Sequence, residues 1–211
     1  MHHALKRLLD IAVAATLLLL VSPLLLTLAL VIRLRLGTPI FFRQERIGKG
    51  ERAFSILKFR TMTDARDAAG TLLPDEIRLT PLGAWLRATS LDELPELWNI
   101  LRGDMSLVGP RPLLPRYLPY YTAREATRHR MRPGITGLAQ VNGRNALSWD
   151  ARLALDADYV ERFSLWLDLA ILWQTVRVVL AREGITAEGH VTMYALDEER
   201  KAGGRNEEMR N

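Results

Sequence analysis

Residues 8–32 read LLDIAVAATLLLLVSPLLLTLALVI, and how this run sits decides the architecture. Beyond Asp10 it offers roughly twenty apolar residues, about enough to cross a hydrocarbon core as one helix. Three features argue against a plain crossing. Ser22-Pro23 stands near the middle, where proline lacks a backbone donor and clashes with the preceding turn, so a kink or break is predicted there. Lys6 and Arg7 precede the run while Arg33 and Arg35 follow it, and the positive-inside rule then puts both ends on the cytoplasmic face. Asp10 would be costly deep in lipid unless a basic or backbone partner meets it.

A helix that enters, breaks at Ser22 and Pro23 and returns to the same face reconciles all three features. The prediction is a re-entrant helix-break-helix over residues 1–36. Carbonyls freed by the proline must then be met by the serine hydroxyl, by water or by neighbouring protein, because lipid offers no donors. An ordinary kinked span stays open as an alternative. So does a cleaved signal peptide, although no small-x-small cleavage site follows the run.

The chain of 211 residues has room for one domain. It has no cysteine, which excludes disulfides, thiolate metal sites and cysteine nucleophiles. A net charge of +5 with dispersed arginines points to anionic partners: phosphorylated substrates, nucleic acid or an anionic membrane surface. No aromatic-basic interleaving of a nucleic-acid module is present, so no nucleic-acid partner is expected.

Past Gly37-Thr38-Pro39 the globular part begins. The expected fold is α/β, a mostly helical single domain over residues 37–184 with a few short strands. Strand signals cover Ile40 to Arg46 and Phe54 to Arg60, with a Gly48-Lys49-Gly50 turn between. Lys58 and Arg60 share one face by the period of two, as a solvated strand face or an anion-facing edge. Asp64 to Asp75 reads as a surface helix fragment and loop. Thr80-Pro81 opens a helix that delivers Arg87 to the segment ahead.

That segment is Thr89-Ser90-Leu91-Asp92-Glu93-Leu94-Pro95-Glu96-Leu97. Ser90-x-x-Glu93 fits a capping box, but Pro95 would then fall at the fifth helical position, so the cap is expected later. Asp92 is surplus to the box, and an acid near a helix start stays ionised, which suits a nucleophile as well as a surface residue. Gly103 reads as the helix stop. Gly109-Pro110-Arg111-Pro112 is a rigid turn that holds Arg111 either toward solvent or ready to fork onto phosphate oxygens. One of its X-Pro bonds is a candidate for cis geometry.

Leu113 to Tyr121 interleaves aliphatic and aromatic side chains, as core closure or as an interfacial surface. Two helices follow, from Trp149 to about Phe163 and from Leu165 to Leu180; the second is apolar on most faces and lies buried against the domain or in the interface. Residues 185–211 are expected to form a mobile, charged tail.

In their order, Ser22-Pro23, Lys58-Phe59-Arg60-Thr61-Met62, the Asp92-Glu93 pair, the Gly109 to Pro112 turn and Arg132-Pro133-Gly134-Ile135-Thr136-Gly137-Leu138-Ala139-Gln140-Val141-Asn142-Gly143-Arg144 resemble the small monotopic phosphoglycosyl transferases of bacteria, the minimal form of the bacterial sugar transferase family. The resemblance runs from about Lys6 to about Gly184. It implies transfer of a sugar 1-phosphate from a UDP-sugar to undecaprenyl phosphate with release of UMP, at the cytoplasmic face of the bacterial inner membrane. It makes Asp92 the nucleophile of an aspartyl phosphosugar intermediate, and Glu93, with Asp92, the ligands of Mg²⁺. It further implies substrate contacts for Lys58, Arg87, Arg111 and Arg144. Leu113-Leu114 with Tyr117 to Tyr121 and Asn142 to Asn145 are most similar to the branch that uses UDP-N,N′-diacetylbacillosamine; a hexose 1-phosphate for exopolysaccharide is the alternative. A non-catalytic, membrane-held anion binder is the reading from another class, and it leaves Asp92-Glu93 without a role.

The chemistry agrees with the resemblance. A diphosphate repels an approaching carboxylate, so its charge must be offset by a hard cation and by arginines before attack. Asp92, ionised near neutral pH, needs no general base, and a second phosphate can discharge the acyl phosphate in a ping-pong cycle.

Overall fold

The computed structural model describes residues 2–143, 147–181 and 195–201. Helix α1 (His2–Leu36) runs without interruption through Pro23, so the predicted break at Ser22-Pro23 is not an interruption of the helix. The reason is local. Pro23 cannot donate to the carbonyl of Leu19, one turn back, and Ser22 Oγ donates to that oxygen instead at 2.8 Å.

One stripe of α1 faces the domain along its whole length. Lys6, Asp10, Ala14, Leu28 and Ile32 are buried, and Leu18, Val21 and Leu25 between them are packed against the same core. These positions are three or four apart, the spacing of one helix face. The opposite face is exposed and aliphatic: Leu8, Leu19, Leu20, Leu26, Leu30 and Leu34 all lie open. The helix is long and apolar enough to cross a membrane by length and composition.

Strands β1 (Phe41–Ile47) and β2 (Ala53–Phe59) form an antiparallel hairpin, with Phe42 opposite Lys58 and Arg46 opposite Phe54. Opposed residues share a face, so Phe42, Arg46, Phe54, Ile56 and Lys58 project together. Residues 64–74 form a loop with an isolated bridge between Arg66 and Leu72. The helix fragment predicted for this stretch is confined to α2 (Asp75–Arg78). Helix α3 (Pro81–Ala88) starts as its sequence demands, with Thr80 Oγ1 accepting from Gly83 N at 3.0 Å and proline at the first position.

Helix α4 (Glu96–Arg102) begins after Pro95 and ends at Gly103, whose φ of 98° requires a residue without a Cβ penalty. Asn99 docks it on the hairpin: its Oδ1 accepts from Leu57 N at 3.0 Å and its Nδ2 donates to Ser55 O at 2.8 Å. A side-chain amide thereby substitutes for a neighbouring strand at the β2 edge. Strands β3 (Ser106–Val108) and β4 (Gly134–Thr136) pair in parallel. The contact is so close that a Cβ on Gly134 would lie 2.1 Å from Gly109 N, which fixes the backbone where the Gly109 to Pro112 turn begins. No bond of that turn is cis; the cis peptide among the described residues is Thr38-Pro39.

The remaining helices are α5 (Ala123–Ala126), α6 (Leu138–Val141), α7 (Trp149–Glu161) and α8 (Leu165–Ala181). A Thr122/Glu125 capping box opens α5. The stretch after the Gly109 to Pro112 turn closes the core, since Leu113 and Tyr117 are buried with Trp149 and Leu153. Residues 195–201 also dock there, with Leu196 fully buried and Arg200 bonded to Glu125 at 2.8 Å and to Asp150 at 2.6 Å. That segment packs on the domain, and the rest of the expected tail over 185–211 lies outside the described residues.

Two buried ties hold α1 to this domain. Lys6 Nζ meets Asp168 of α8 at 2.6 Å. Asp10 accepts from Ser106 Oγ at 2.8 Å and from Leu107 N at 3.1 Å, so the acid that looked expensive in lipid has protein partners.

Candidate active site

Asp92 and Glu93 lie on a single tight turn, Leu91–Glu93, between α3 and α4. Ser90 enters it with φ of 56° and forms no side-chain cap, so the capping box is not made. Glu93 turns inward instead. Its Oε1 accepts from Lys58 Nζ of β2 and, at 2.8 Å, from Arg111 Nη2 of the Gly-Pro-Arg-Pro turn. Three segments remote in sequence therefore meet on one oxygen.

This clamp decides the protonation of the site. Burial opposes ionisation of Glu93, but Arg111 and Lys58 outweigh it and hold the carboxyl well below the usual carboxylate range. Lys58 also pays for burial, and Glu93 and Glu96 more than compensate, so its ammonium is favoured further. Asp92 is different. It is buried, and among the described residues its carboxylate has no hydrogen bond. Burial and the charge of Glu93 push it up to about 6, against the pull of Lys58, Arg87 and Arg111. It remains mostly ionised at neutral pH yet is not neutralised by a contact partner, the state wanted of a carboxylate that must attack.

Several members of the site carried no motif. Glu96 is 3% exposed, with Lys58 Nζ 3.2 Å from its Oε1, and burial raises it to about 7. Arg46 projects from β1 on the face that bears Lys58; burial and the neighbouring charge of Arg111 lower it to about 10. Arg46, Lys58, Arg87 and Arg111 thus gather about Asp92, Glu93 and Glu96, and because Glu96 is only partly ionised at neutral pH a surplus of positive charge is left for an anion. The period-two pattern carried back across the Gly48 turn is the signal that finds Arg46. No pattern finds Arg128, whose Nη2 donates to Arg111 O and whose charge is paired with Asp156 at 2.8 Å.

The other sequence-derived residues divide. Arg87 bonds Thr61 Oγ1 at 3.1 Å through Nε and acts on Asp92 by charge. Arg60, read as a companion of Lys58, serves the fold: it donates to Thr38 O at 2.9 Å and Met62 O at 3.0 Å, clasping the chain after α1. Arg144 lies outside the described residues. Beside Arg111 lies a small cleft lined by Ile47, Gly48, Pro110, Arg128 and His129.

Among the described residues no three His, Asp or Glu side chains converge into a metal cage. Mg²⁺ does not require one, since one or two carboxylates commonly hold it with water and substrate phosphates completing the octahedron. Adjacent Asp92 and Glu93 fit that demand, because among the described residues Asp92 has no hydrogen bond and the cations engage Glu93 through Oε1 alone.

Comparison with known proteins agrees with this geometry. Residues 1–182 match the family described as bacterial sugar transferase. An uncharacterized sugar transferase of Bacillus subtilis, EpsL, is 55% identical over 89% of this chain and 93% of its own length. The UDP-glucose:undecaprenyl-phosphate glucose-1-phosphate transferase of Caulobacter vibrioides is 47% identical over 84% of this chain and 70% of its own. The UDP-N-acetylgalactosamine-undecaprenyl-phosphate N-acetylgalactosaminephosphotransferase of Aeromonas hydrophila is 40% identical over 85% of this chain, which spans 44% of that longer protein.

Proposed function

The chain belongs to the bacterial sugar transferase family, and from that premise we propose that it is a phosphoglycosyl transferase that moves a sugar 1-phosphate from a UDP-sugar to undecaprenyl phosphate through a covalent intermediate on Asp92. The observation that carries this is the contrast within the acid pair: Glu93 clamped by Lys58 and Arg111, and Asp92 beside it buried and, among the described residues, without a hydrogen bond.

Asp92 Oδ attacks the sugar-bearing phosphorus; the bond from that phosphorus to the UMP oxygen breaks, and UMP leaves. The phosphate of the polyprenol then attacks the same phosphorus, the aspartyl bond breaks, and the polyprenyl diphosphate sugar departs. Arg111, Lys58, Arg46 and Arg87 stabilise charge as it develops on the phosphate oxygens, pre-organised so that little reorientation is needed. Mg²⁺, held by Asp92 and Glu93, would offset the diphosphate charge. Glu93 also keeps Lys58 and Arg111 together between turnovers.

The membrane arrangement we propose is monotopic, with both ends of α1 on the cytoplasmic side and the reaction at headgroup level, where a lipid-borne phosphate rides. Its support is the single inward stripe of α1 and the outward leucines. At 1.5 Å per residue the helix is about 50 Å long against a hydrocarbon core of about 30 Å, so it has length to spare for bending or tilting.

For the donor we propose a UDP-hexose, with UDP-glucose first, on the strength of the Caulobacter relative. An N-acetylated donor is favoured by the Aeromonas relative. The bacillosamine form of it leans on Leu113 and Tyr117, which are taken up by the core.

The test is incubation of the full chain with UDP-sugars, Mg²⁺ and polyprenyl phosphate, scoring UMP. UMP release by the wild type and a phosphosugar adduct in its intact mass are expected, with Asp92→Asn folded but more than about a thousandfold slower. Retained turnover in Asp92→Asn would remove the covalent mechanism. No UMP from any donor would leave the anion-binding alternative.

A further inference from the structure

Away from the acid pair, a second, shallow and solvent-open cleft lies at the start of α1. Its floor includes Lys6, Asp10 and Ser106, and Arg7, Lys49 and Arg132 line it as well. The floor is internally balanced: Lys6 is paired with Asp168 and Asp10 is satisfied by Ser106 and Leu107. The other three cations, Arg7, Lys49 and Arg132, have no carboxylate within ion-pair distance among the described residues, although Asp10 and Asp104 attract Arg7 from further off. Arg7 and Arg132 are anchored through backbone carbonyls, Arg7 to Leu101 O at 3.2 Å and Arg132 to Gly103 O at 2.9 Å. Neutral acceptors fix the guanidinium groups without cancelling their charge, and burial together with the charge of Arg132 disfavours the charged form of Arg7, against the pull of Asp10 and Asp104. Two like charges held together in this way are stabilised by an anion between or above them.

The position of the cleft limits what the anion is. Within a turn of Arg7 the outer face of α1 becomes the exposed leucines Leu5, Leu8 and Leu9, the surface assigned above to lipid. We propose that this cleft binds the phosphate headgroup of an anionic phospholipid, as a site separate from the reaction centre. The inference rests on the monotopic reading of α1. Basic clefts at the cytoplasmic end of membrane helices suit such headgroups, and each nearby cation contributes to the attraction.

The full chain is mixed with phosphatidylcholine vesicles, with the same vesicles containing phosphatidylglycerol, and with inorganic phosphate as competitor. Lipid retained on the detergent-extracted protein is counted by native mass spectrometry. One phosphatidylglycerol is expected on the wild type. Lys49→Gln and Arg132→Gln should each weaken its retention about fivefold, whereas Arg35→Gln, at the far end of α1, should not. Lys49 is exposed and its side chain has no hydrogen bond or ion pair among the described residues, so its variant stays informative even if Arg132→Gln folds poorly. Equal loss in Arg35→Gln would reduce the effect to general surface charge and overturn the site. Saturation by inorganic phosphate with no lipid retained would overturn the lipid assignment. Failure to partition into neutral vesicles would instead sink the membrane reading itself, a different result from partitioning without preference for phosphatidylglycerol.

Discussion

Lys6 Nζ and Asp168 Oδ2 stand 2.6 Å apart, joining the first helix to the last long one across 162 residues. Both side chains are about one-tenth exposed or less, and Tyr159 adds a hydroxyl 2.8 Å from Asp168 Oδ1. Removing one charge of such a pair costs about 3–5 kcal/mol when the other is left unpaired, and less here, because Asp10 Oδ1 remains 3.8 Å from Lys6 Nζ. Asp168→Asn should therefore loosen α8, and limited trypsinolysis at Arg162, just ahead of it, should accelerate markedly. An unchanged cleavage rate would mean that α8 is held by its apolar packing alone.

The acid pair predicts a pH dependence. Asp92 must be ionised to attack, and it titrates at about 6, so kcat/KM should fall about tenfold per pH unit below that value. The stability effect has the opposite sign: a carboxyl raised from 3.8 to about 6 favours the folded state when protonated, and that contribution is lost as pH rises through about 6. Asp92→Asn should accordingly melt higher than the wild type at pH 7 to 8, by about 1–2 kcal/mol. Glu96 titrates nearby, at about 7, and Glu96→Gln separates the two: the acid limb persists in that variant if Asp92 sets it and flattens if Glu96 does.

Local chemistry was legible and convergence was not. Thr80 with Pro81, the stop at Gly103 and the hairpin around Gly48 were readable because each depends on neighbours in sequence. Asp92, Glu93, Lys58 and Arg111 were reached through motif order, and the structure brings them together. Ser90-x-x-Glu93 makes no cap, as the position of Pro95 argued, because a pair of cations from β2 and the Arg111 turn claims Glu93. Arg46 was reachable only by carrying the period of two back across the Gly48 turn, whereas Glu96 and the Arg128–Asp156 pair were invisible, since nothing in their own surroundings marks them as buried beside a distant segment. The docking of Leu196 was hidden for the same reason.

Ser22 predicts how α1 tolerates its proline. Ser22→Ala removes the donor to Leu19 O and should cost about 1–3 kcal/mol where water cannot replace it. Adding Pro23→Ala restores a backbone N–H to that carbonyl and should recover the loss. For topology, cysteines introduced as His3→Cys and Thr38→Cys in this thiol-free chain should react with an impermeant maleimide from the same side of sealed vesicles. Labelling from opposite sides would establish a crossing.

Arg128 is expected to act on the reaction through Arg111. Its guanidinium reaches Asp156 at 2.8 Å, Tyr121 Oη at 3.1 Å and the carbonyl of Arg111, three acceptors that one planar fork can serve and a lysine ammonium cannot. Arg128→Met leaves Asp156 as an unpaired buried charge and should unfold the protein or cost about 3–5 kcal/mol. Arg128→Met with Asp156→Leu removes both charges and should recover most of the stability. It should not recover turnover: with its carbonyl released, the Arg111 turn is freer to move, Glu93 loses a fixed partner, and kcat should stay about tenfold down. Recovery of both stability and kcat would reduce the pair to a packing device. Recovery of stability alone separates the two roles, because only the aim of Arg111 still differs from the wild type.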